Sequence, residues 1–369
     1  MPTDPSLGRA RAMFEPGRLG QARLARGMKM VDLAVMVGVT PASIGQYEAG
    51  HIKPSADVLG RLAVALGFPV SFFEAGRRMG NMSADSAHFR RLRSVTTAAR
   101  NQQIARLALL DELVARIERD VELPTVDIPA LDLETGDREE IEALAASVRA
   151  HWRLGHGPLA NMIALLESKG CVAVRLVAES ESIDAYSRWA GPRPVIVLTM
   201  DKNDAARSNF DAAHELGHLV MHRDAQPGSR LAEEQSQIFA AAFLMPAEAI
   251  RLELPTRFDL SAFVALKQRW RVSIQALLYR ARVLGAVSEA AYRRAMMKIS
   301  MWGWRAGEPN SISDVEEPYV LAQAVALLRE DRGLDAAAIA NEMSIPTDLM
   351  DTFVVEARPR LRLSSSTGS

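Results

Sequence analysis

The chain has 369 residues, with 44 Lys and Arg against 45 Asp and Glu and a formal net charge of -1. That length exceeds one ordinary core and suits two or three domains, while the balanced charge leaves no global field to single out nucleic acid or a membrane surface. A single cysteine, Cys171, excludes an internal disulfide framework and a cysteine-rich zinc site. No apolar signal core and no run of about 18 apolar residues is present, so the expectation is a soluble, cytoplasmic protein without membrane contact.

Residues 1–17, rich in Pro and Gly, predict a flexible leader. From 18 to 80 the short helical patterns GQARLARG, VDLAVMVG, PASIGQYEAG and SADVLGRLAVALG follow one another; each is too short to be stable alone, so they predict a compact helical bundle. Residues 81–136 predict a helical connector and linker. Its basic stretch HFRRLR (88–93) reads either as an extended nucleic-acid footprint or as a solvated helix start, and the prolines of ELPTVDIPALDLETG block regular hydrogen bonding. Residues 137–255 predict an α+β domain, with strand candidates at 171–177 and 194–200 followed by the helices FDAAHELGHLVMH and EEQSQIFAAAFLM, the second ended by Pro246. Residues 256–310 predict a helical extension anchored by Trp270, Trp302 and Trp304, and 311–369 a last helical segment with a disordered tail. Cys171 opens an apolar strand and is expected to be inert core.

His214 and His218 are four apart, so on a helix both imidazoles face one way at a spacing that can grip one cation. Glu215 beside them is placed to take a proton from a water that zinc acidifies for attack on a carbonyl. Phe210, Ala213, Leu216, Gly217 and Val220 suit a buried helix, where an unpartnered polar group costs roughly 2–7 kcal/mol; a metal supplies the partner. A catalytic zinc takes a third protein ligand, and Asp224, Glu233 and Glu234 are the candidates. Glu233, two turns before Ala240 on the apolar face of its helix, ranks first, and Glu234 projects about 100° away. Gln237, one turn after Glu233, is placed to hold a ligating histidine's second nitrogen. His222 extends the stripe but lies about 12 Å along the axis from His214, so it is expected to support or pack against the site. The strand at 194–200 is expected to be an edge that could hold an extended peptide. Manganese also fits two histidines and a carboxylate.

The run RSNFDAAHELGHLVMH (207–222), followed by EEQSQIFAAAFLMP (233–246) and accompanied by IDAYS (183–187) and WRVSIQALLYRARVLG (270–285), closely resembles the ImmA/IrrE metallopeptidase family over roughly residues 155–310. The resemblance implies a gluzincin-like zinc endopeptidase with His214, His218 and Glu233 as ligands and Glu215 as general base. It also implies a regulator that acts on a helix-turn-helix repressor in a stress or mobile-element response. The family usually has Ala-Asn where this chain has Ser236-Gln237.

Residues 23–73 resemble an XRE-type, lambda-repressor-like helix-turn-helix. Gly38 is placed to end the first helix of the pair, Thr40 to cap the second, Pro41 to open it and Gly50 to close it. Between Arg9 and Gly80 ten Lys/Arg face five acids, a local basic footprint that the whole-chain balance hides. Pro41, Ala42, Ser43, Gly45 and Gln46 are the exposed recognition positions. Ser43 and Gln46 can hydrogen-bond base edges, Ala42 can meet a thymine methyl, and Lys29, Thr40 and Lys53 can meet phosphates. Relatives often carry Gln where this chain has Met30. Residues 334–354 faintly suggest a second such motif, but their acids favour packing.

The fold expected is therefore mostly α with a small β-sheet: an N-terminal helix-turn-helix bundle, a central zincin-like α+β domain and a C-terminal helical region. The function expected is a DNA-binding transcriptional regulator fused to a zinc endopeptidase that cleaves a regulatory protein, with operator DNA and a repressor as partners. The alternative is a transcription factor whose metal domain is a non-catalytic sensor or dimerisation module, and a homodimer is among the assemblies open to the chain.

Overall fold

The computed structural model describes residues 5–80, 82, 96–176, 185–200, 204–223, 229–304 and 307–354. Residues 88–93, Asp224, the first two residues of IDAYS and the tail after 354 lie outside the described residues.

The N-terminal unit contains α1 (Pro5–Ala12), α2 (Pro16–Ala25), α3 (Met30–Val37), α4 (Pro41–Glu48), α5 (Ala56–Leu66) and a 3-10 turn at Val70–Phe73. In place of a loose leader, α1 packs on α5, Ala10 and Phe14 are buried, and Phe14 pairs with Glu74. Ala, Arg and Leu favour a helix there once α5 offers an apolar face. Gly38 takes the left-handed conformation (φ 67°) that ends α3, and Thr40 Oγ1 accepts from Ser43 N at 3.1 Å to start α4. Arg23 clamps Glu48, with Nε to Oε1 at 2.5 Å, and so ties α2 to α4.

Helix α6 (Thr97–Ile117) follows, then an extended segment, then α7 (Arg138–His151) and α8 (Met162–Ser168). Buried Arg18 on α2 reaches Glu112 of α6 at 2.7 and 2.8 Å, and Glu112 also accepts from Gly80 N at 3.0 Å. A Cβ at Gly80 would stand 2.1 Å from the Ala108 carbonyl oxygen, so only glycine allows that approach.

The sheet comprises β1 (Val172–Leu176), β2 (Ala185–Ala190) and β3 (Arg193–Thr199) in the order β1-β3-β2, with β1 parallel and β2 antiparallel to β3. β3 is therefore central and both of its edges are paired. The expectation that 194–200 forms an edge strand is corrected: its seven residues are all buried, as a strand covered on both faces requires, and the edge nearest the metal-site helix is β2. Sequence reading missed β2 because its Ser and Arg hide a period-two pattern. Tyr186 faces one core, while Ala185 faces the other.

Beyond the sheet come α9 (Ala205–Met221), α10 (Arg230–Leu244), α11 (Ala247–Ile250), α12 (Leu260–Trp270), α13 (Ile274–Val283) and α14 (Glu289–Met301), then α15 (Val320–Arg332), α16 (Ala336–Glu342) and α17 (Thr347–Phe353). One core joins α7–α14 to the face of the sheet that carries Ala173, Ile196 and Leu198. The other joins the N-terminal bundle, α6 and α15–α17 to the face that carries Val172, Val174 and Val197. Trp270 is the buried anchor expected, donating to Glu253 at 3.0 Å. Trp302 is not: it is 43% exposed and lies against Trp304, which is half-buried against the core of α7–α14.

The last segment is stitched to both units. Arg26 pairs with Asp348, Arg77 donates to the Met343 carbonyl, Ser71 and Ser344 share a hydroxyl bond of 2.8 Å, and Arg116 pairs with Glu342 at 2.7 Å. Its helix-turn-helix pattern at 334–354 packs against β1 and the N-terminal bundle through buried Ile339, Ile345, Leu349 and Phe353. Buried Glu167 accepts from Tyr319 N and Val320 N at 3.1–3.2 Å and so starts α15.

Burial pushes the Glu167 carboxyl from 4.5 up to about 7, against the opposing pull of those two N–H groups. A carboxyl raised in the folded state contributes stability that is fully present below about 4.5 and is lost as pH rises through about 7. Thermal melts between pH 4.5 and 8 should therefore show wild type losing stability relative to Glu167→Gln as pH rises. A difference that does not change with pH would refute the assignment.

Candidate metal centre

Helix α9 is buried almost throughout because the sheet, α8 and α10 cover it. Asp204 starts it by accepting from Ala206 N at 3.0 Å, and buried Lys267 of α12 holds the other Asp204 oxygen at 2.7 Å. Ser229 caps α10 by accepting from Ala232 N. The two helices meet at Gly217, where an added Cβ would lie 3.2 Å from Ser236 Cα and from the Phe239 ring. This close approach brings the first turn of α10 against the middle of α9.

His214, His218 and Glu233 converge there, with their potential ligand atoms all within 4.8 Å of one another. The two histidine Nε2 atoms are 3.1 Å apart, and each lies 3.6 Å from a Glu233 carboxylate oxygen. Ligand atoms around a tetrahedral ion with bonds of about 2.0–2.1 Å stand roughly 3.3 Å apart, so the donors are spaced for one cation. Both histidines are buried, whereas the Glu233 side chain is 21% exposed. The donor set, two imidazoles and a carboxylate, is of the kind that takes zinc in catalytic sites.

Glu215 points from the same helix and is buried. Ser187 Oγ, wholly buried on edge strand β2, donates to its Oε2 at 2.7 Å. This residue carried no role in the sequence reading; the local signal was a polar side chain on the inward phase of an otherwise apolar strand. Two residues along the same phase, Trp189 lies under the Arg223 guanidinium at 3.7 Å from its ring centre.

Glu234 is exposed and stands outside the donor group, as the helix phase predicts. His222 is buried at the end of α9, its ring 5.7 Å from that of His218, and is not one of the three converging residues. The expectation for Gln237 is corrected. It is exposed, because the stripe that α10 turns to α9 runs through Glu233, Ser236 and Phe239, and Gln237 falls on the solvent side of that stripe. His214 Nδ1 is buried without a hydrogen-bond partner among the described residues.

In the N-terminal unit, Lys29, Thr40, Pro41, Ala42 and Gln46 are exposed along the start of α3 and one face of α4. Ser43 is half-buried, and its hydroxyl is 2.9 Å from that of Thr40. Lys53 is exposed but donates to the Ala12 carbonyl at 2.8 Å, closing the end of α1. Among the described residues, ties to the rest of the chain leave from α2 and the 3-10 turn, and one face of α4 is exposed.

Residues 166–282 match the family model of the IrrE N-terminal-like domain, an M78 peptidase family, and residues 19–73 match a helix-turn-helix family model. The chain joins a helix-turn-helix domain to an IrrE-like domain. No curated protein matches it. In the IrrE-like domain the matched span contains β1–β3, α9 and α10, and hence the whole metal triad with Glu215 and Ser187. Among the described residues no helix is long and apolar enough to cross a membrane.

The geometry makes two expectations measurable by elemental analysis and metal competition. Glu233→Ala should weaken metal binding by more than the about 10–100-fold that loss of an outer partner costs, and Glu234→Ala should leave it unchanged. Gly217→Val should also lower metal content, because its side chain forces α10, and Glu233 with it, away from the histidines.

Proposed function

We propose that the protein is a DNA-binding transcriptional regulator whose IrrE-like domain is a zinc-dependent endopeptidase acting on a regulatory protein, such as a helix-turn-helix repressor, in a stress or mobile-element response. The observation that carries the reading is the convergence of His214, His218 and Glu233 beside a Glu215 carboxylate pinned by Ser187. Zinc held by that triad supplies a Lewis acid that polarises a carbonyl and acidifies water; manganese suits the same donors. Glu215 takes the proton in attack and returns it to the leaving nitrogen. Ser187 donates to Oε2, which fixes the carboxylate's orientation. β2, the edge strand that carries Ser187, is placed to receive an extended peptide by main-chain hydrogen bonds.

The uncovered face of α4 suits operator DNA, with Gln46 and Ser43 toward base edges, Pro41 and Ala42 in apolar contact, and Lys29, Thr40 and Lys53 toward phosphates. Such a protein works in the cytoplasm, and a homodimer would present two such faces. The rival reading, a metal domain that senses without cutting, draws on the core that the N-terminal bundle shares with the sheet, since that core links the two domains mechanically. The Ser187–Glu215 bond favours catalysis, because a sensor needs no oriented base.

Cleavage sites mapped by labelling new N-termini, with wild type and Glu215→Gln compared, test the reading. Glu215→Gln should lower cleavage by about 10²–10⁴-fold while metal content and DNA binding persist. Ser187→Ala should lower kcat by about 10–100-fold with KM little changed, and Ser187→Thr should restore part of it. Cleavage that survives Glu215→Gln overturns the mechanism, and no cleavage by metal-loaded wild type leaves the sensor reading standing. In gel shifts, Gln46→Ala should cost about 1–3 kcal/mol at one base position, and Lys29→Ala should weaken all sequences alike.

A further inference from the structure

A cavity of about 260 Å³ opens between α7, α10, α11 and α13, and none of its lining residues belongs to the metal triad. Small-molecule sites begin at roughly 300 Å³, so this space takes a ligand of about a dozen non-hydrogen atoms. Ala146, Ala150, Ala242 and Pro246 make its apolar wall. Two buried arginines, Arg149 and Arg280, also line it.

The two guanidinium groups differ in what balances them. Arg280 is held bidentately by Glu142 at 2.7 and 3.1 Å and donates to the Met245 carbonyl. Among the described residues Arg149 donates to three carbonyl oxygens, Gly155 at 2.8 Å, Gly157 at 2.7 Å and Phe243 at 2.7 Å, and its guanidinium lies 5.7 Å from the centre of the Phe243 ring. A guanidinium carries five N–H groups. Among the described residues these bonds leave one N–H on each terminal nitrogen without a partner, and such charged N–H groups are donors that a carboxylate accepts from strongly. Burial alone pulls the Arg149 pKa down to about 10, so the group remains charged at neutral pH. The Phe243 carbonyl at the end of α10 offsets part of that charge, but among the described residues no carboxylate is bonded to it.

We propose that this cavity binds a small carboxylate with a compact apolar body, of amino-acid size, through the Arg149 guanidinium. The acidic groups of the lining set its selectivity. Glu142 is already neutralised by Arg280, while Glu248 stands at the mouth, 78% exposed and 3.1 Å from His156. Glu248 accepts a free ammonium and repels a second carboxylate, so amino acids fit better than dicarboxylates. Through the Phe243 and Met245 carbonyls the cavity is joined to the end of the helix whose first turn carries Glu233.

Calorimetry and thermal melts of the full chain with phenylalanine, benzoate, benzylamine and succinate test the site. Phenylalanine and benzoate should bind and raise the Tm, and benzylamine and succinate should not. Ala146→Trp places an indole in the mouth from an exposed helix position and should weaken phenylalanine binding at least 10-fold with metal content unchanged. Arg149→Lys, which keeps the charge but loses the fork, should weaken it comparably. The proposal is overturned by the absence of phenylalanine and benzoate binding up to about 10 mM, a Kd beyond which binding free energy falls below about 3 kcal/mol. It is equally overturned by binding that survives Ala146→Trp, or by benzylamine binding as well as benzoate does.

Discussion

The approach of α9 to α10 at Gly217 is the constraint on which the metal centre depends. His214 and His218 share a helix and would face the same way in isolation, but the third donor lies on another helix. The absence of a side chain at Gly217 lets Ser236 and Phe239 close against α9, and that depth sets Glu233 within reach of both imidazoles. Burying two imidazoles and half-burying a carboxylate at such a contact is costly unless each finds a partner. The convergence and the close packing are therefore two aspects of one arrangement, and the cation they suit is what reconciles them.

The sheet performs a different task on each face. One face receives α9 and places Ser187 under the Glu215 carboxylate. The other receives α6, α15–α17 and the N-terminal bundle, so the DNA-facing domain and the metal domain share a single apolar core. Ion pairs reinforce that join: Arg18 with Glu112, Arg188 with Asp111, Arg26 with Asp348 and Arg116 with Glu342. The first two are largely buried, and breaking a buried pair by removing one partner is strongly destabilising; the other two are partly exposed and contribute less. The two domains are thus joined by a packed interior rather than by a loose tether.

Most buried charges in the chain serve architecture. Lys267 bridges Asp204 and Glu308, and Glu308 in turn accepts from Ile274 N and Gln275 N at the start of α13. Arg175 gathers the Thr199 and Glu316 carbonyls and the Ser208 hydroxyl, locking the segment before α15 onto β1. Each is satisfied by named partners. Against that background, the two places that stand out are the converging triad, whose donor spacing suits one cation, and Arg149, which is bonded to carbonyl oxygens and to no carboxylate among the described residues.

The helix-turn-helix, the spacing of His214 and His218 and the place of Glu233 were legible from sequence, because each depends on local rules: capping by Thr40, the left-handed Gly38, and the 3.6-residue phase that separates Glu233 from Glu234. The α1 helix was not legible, because its short polar text becomes helical only against α5. The order of the strands was not either: β3 reads as an apolar run whether it lies at an edge or in the centre, and pairing on both sides is a long-range fact. Gln237 shares a helical phase with Glu233 yet meets solvent, since phase sets direction but only the neighbouring helix decides where the covered stripe ends. The sequence by itself determined which side chains could act chemically. The tertiary structure decided which of them meet, and it alone brought Ser187 to Glu215 and set Arg149 beside a cavity, because those contacts join segments with no local relation to one another.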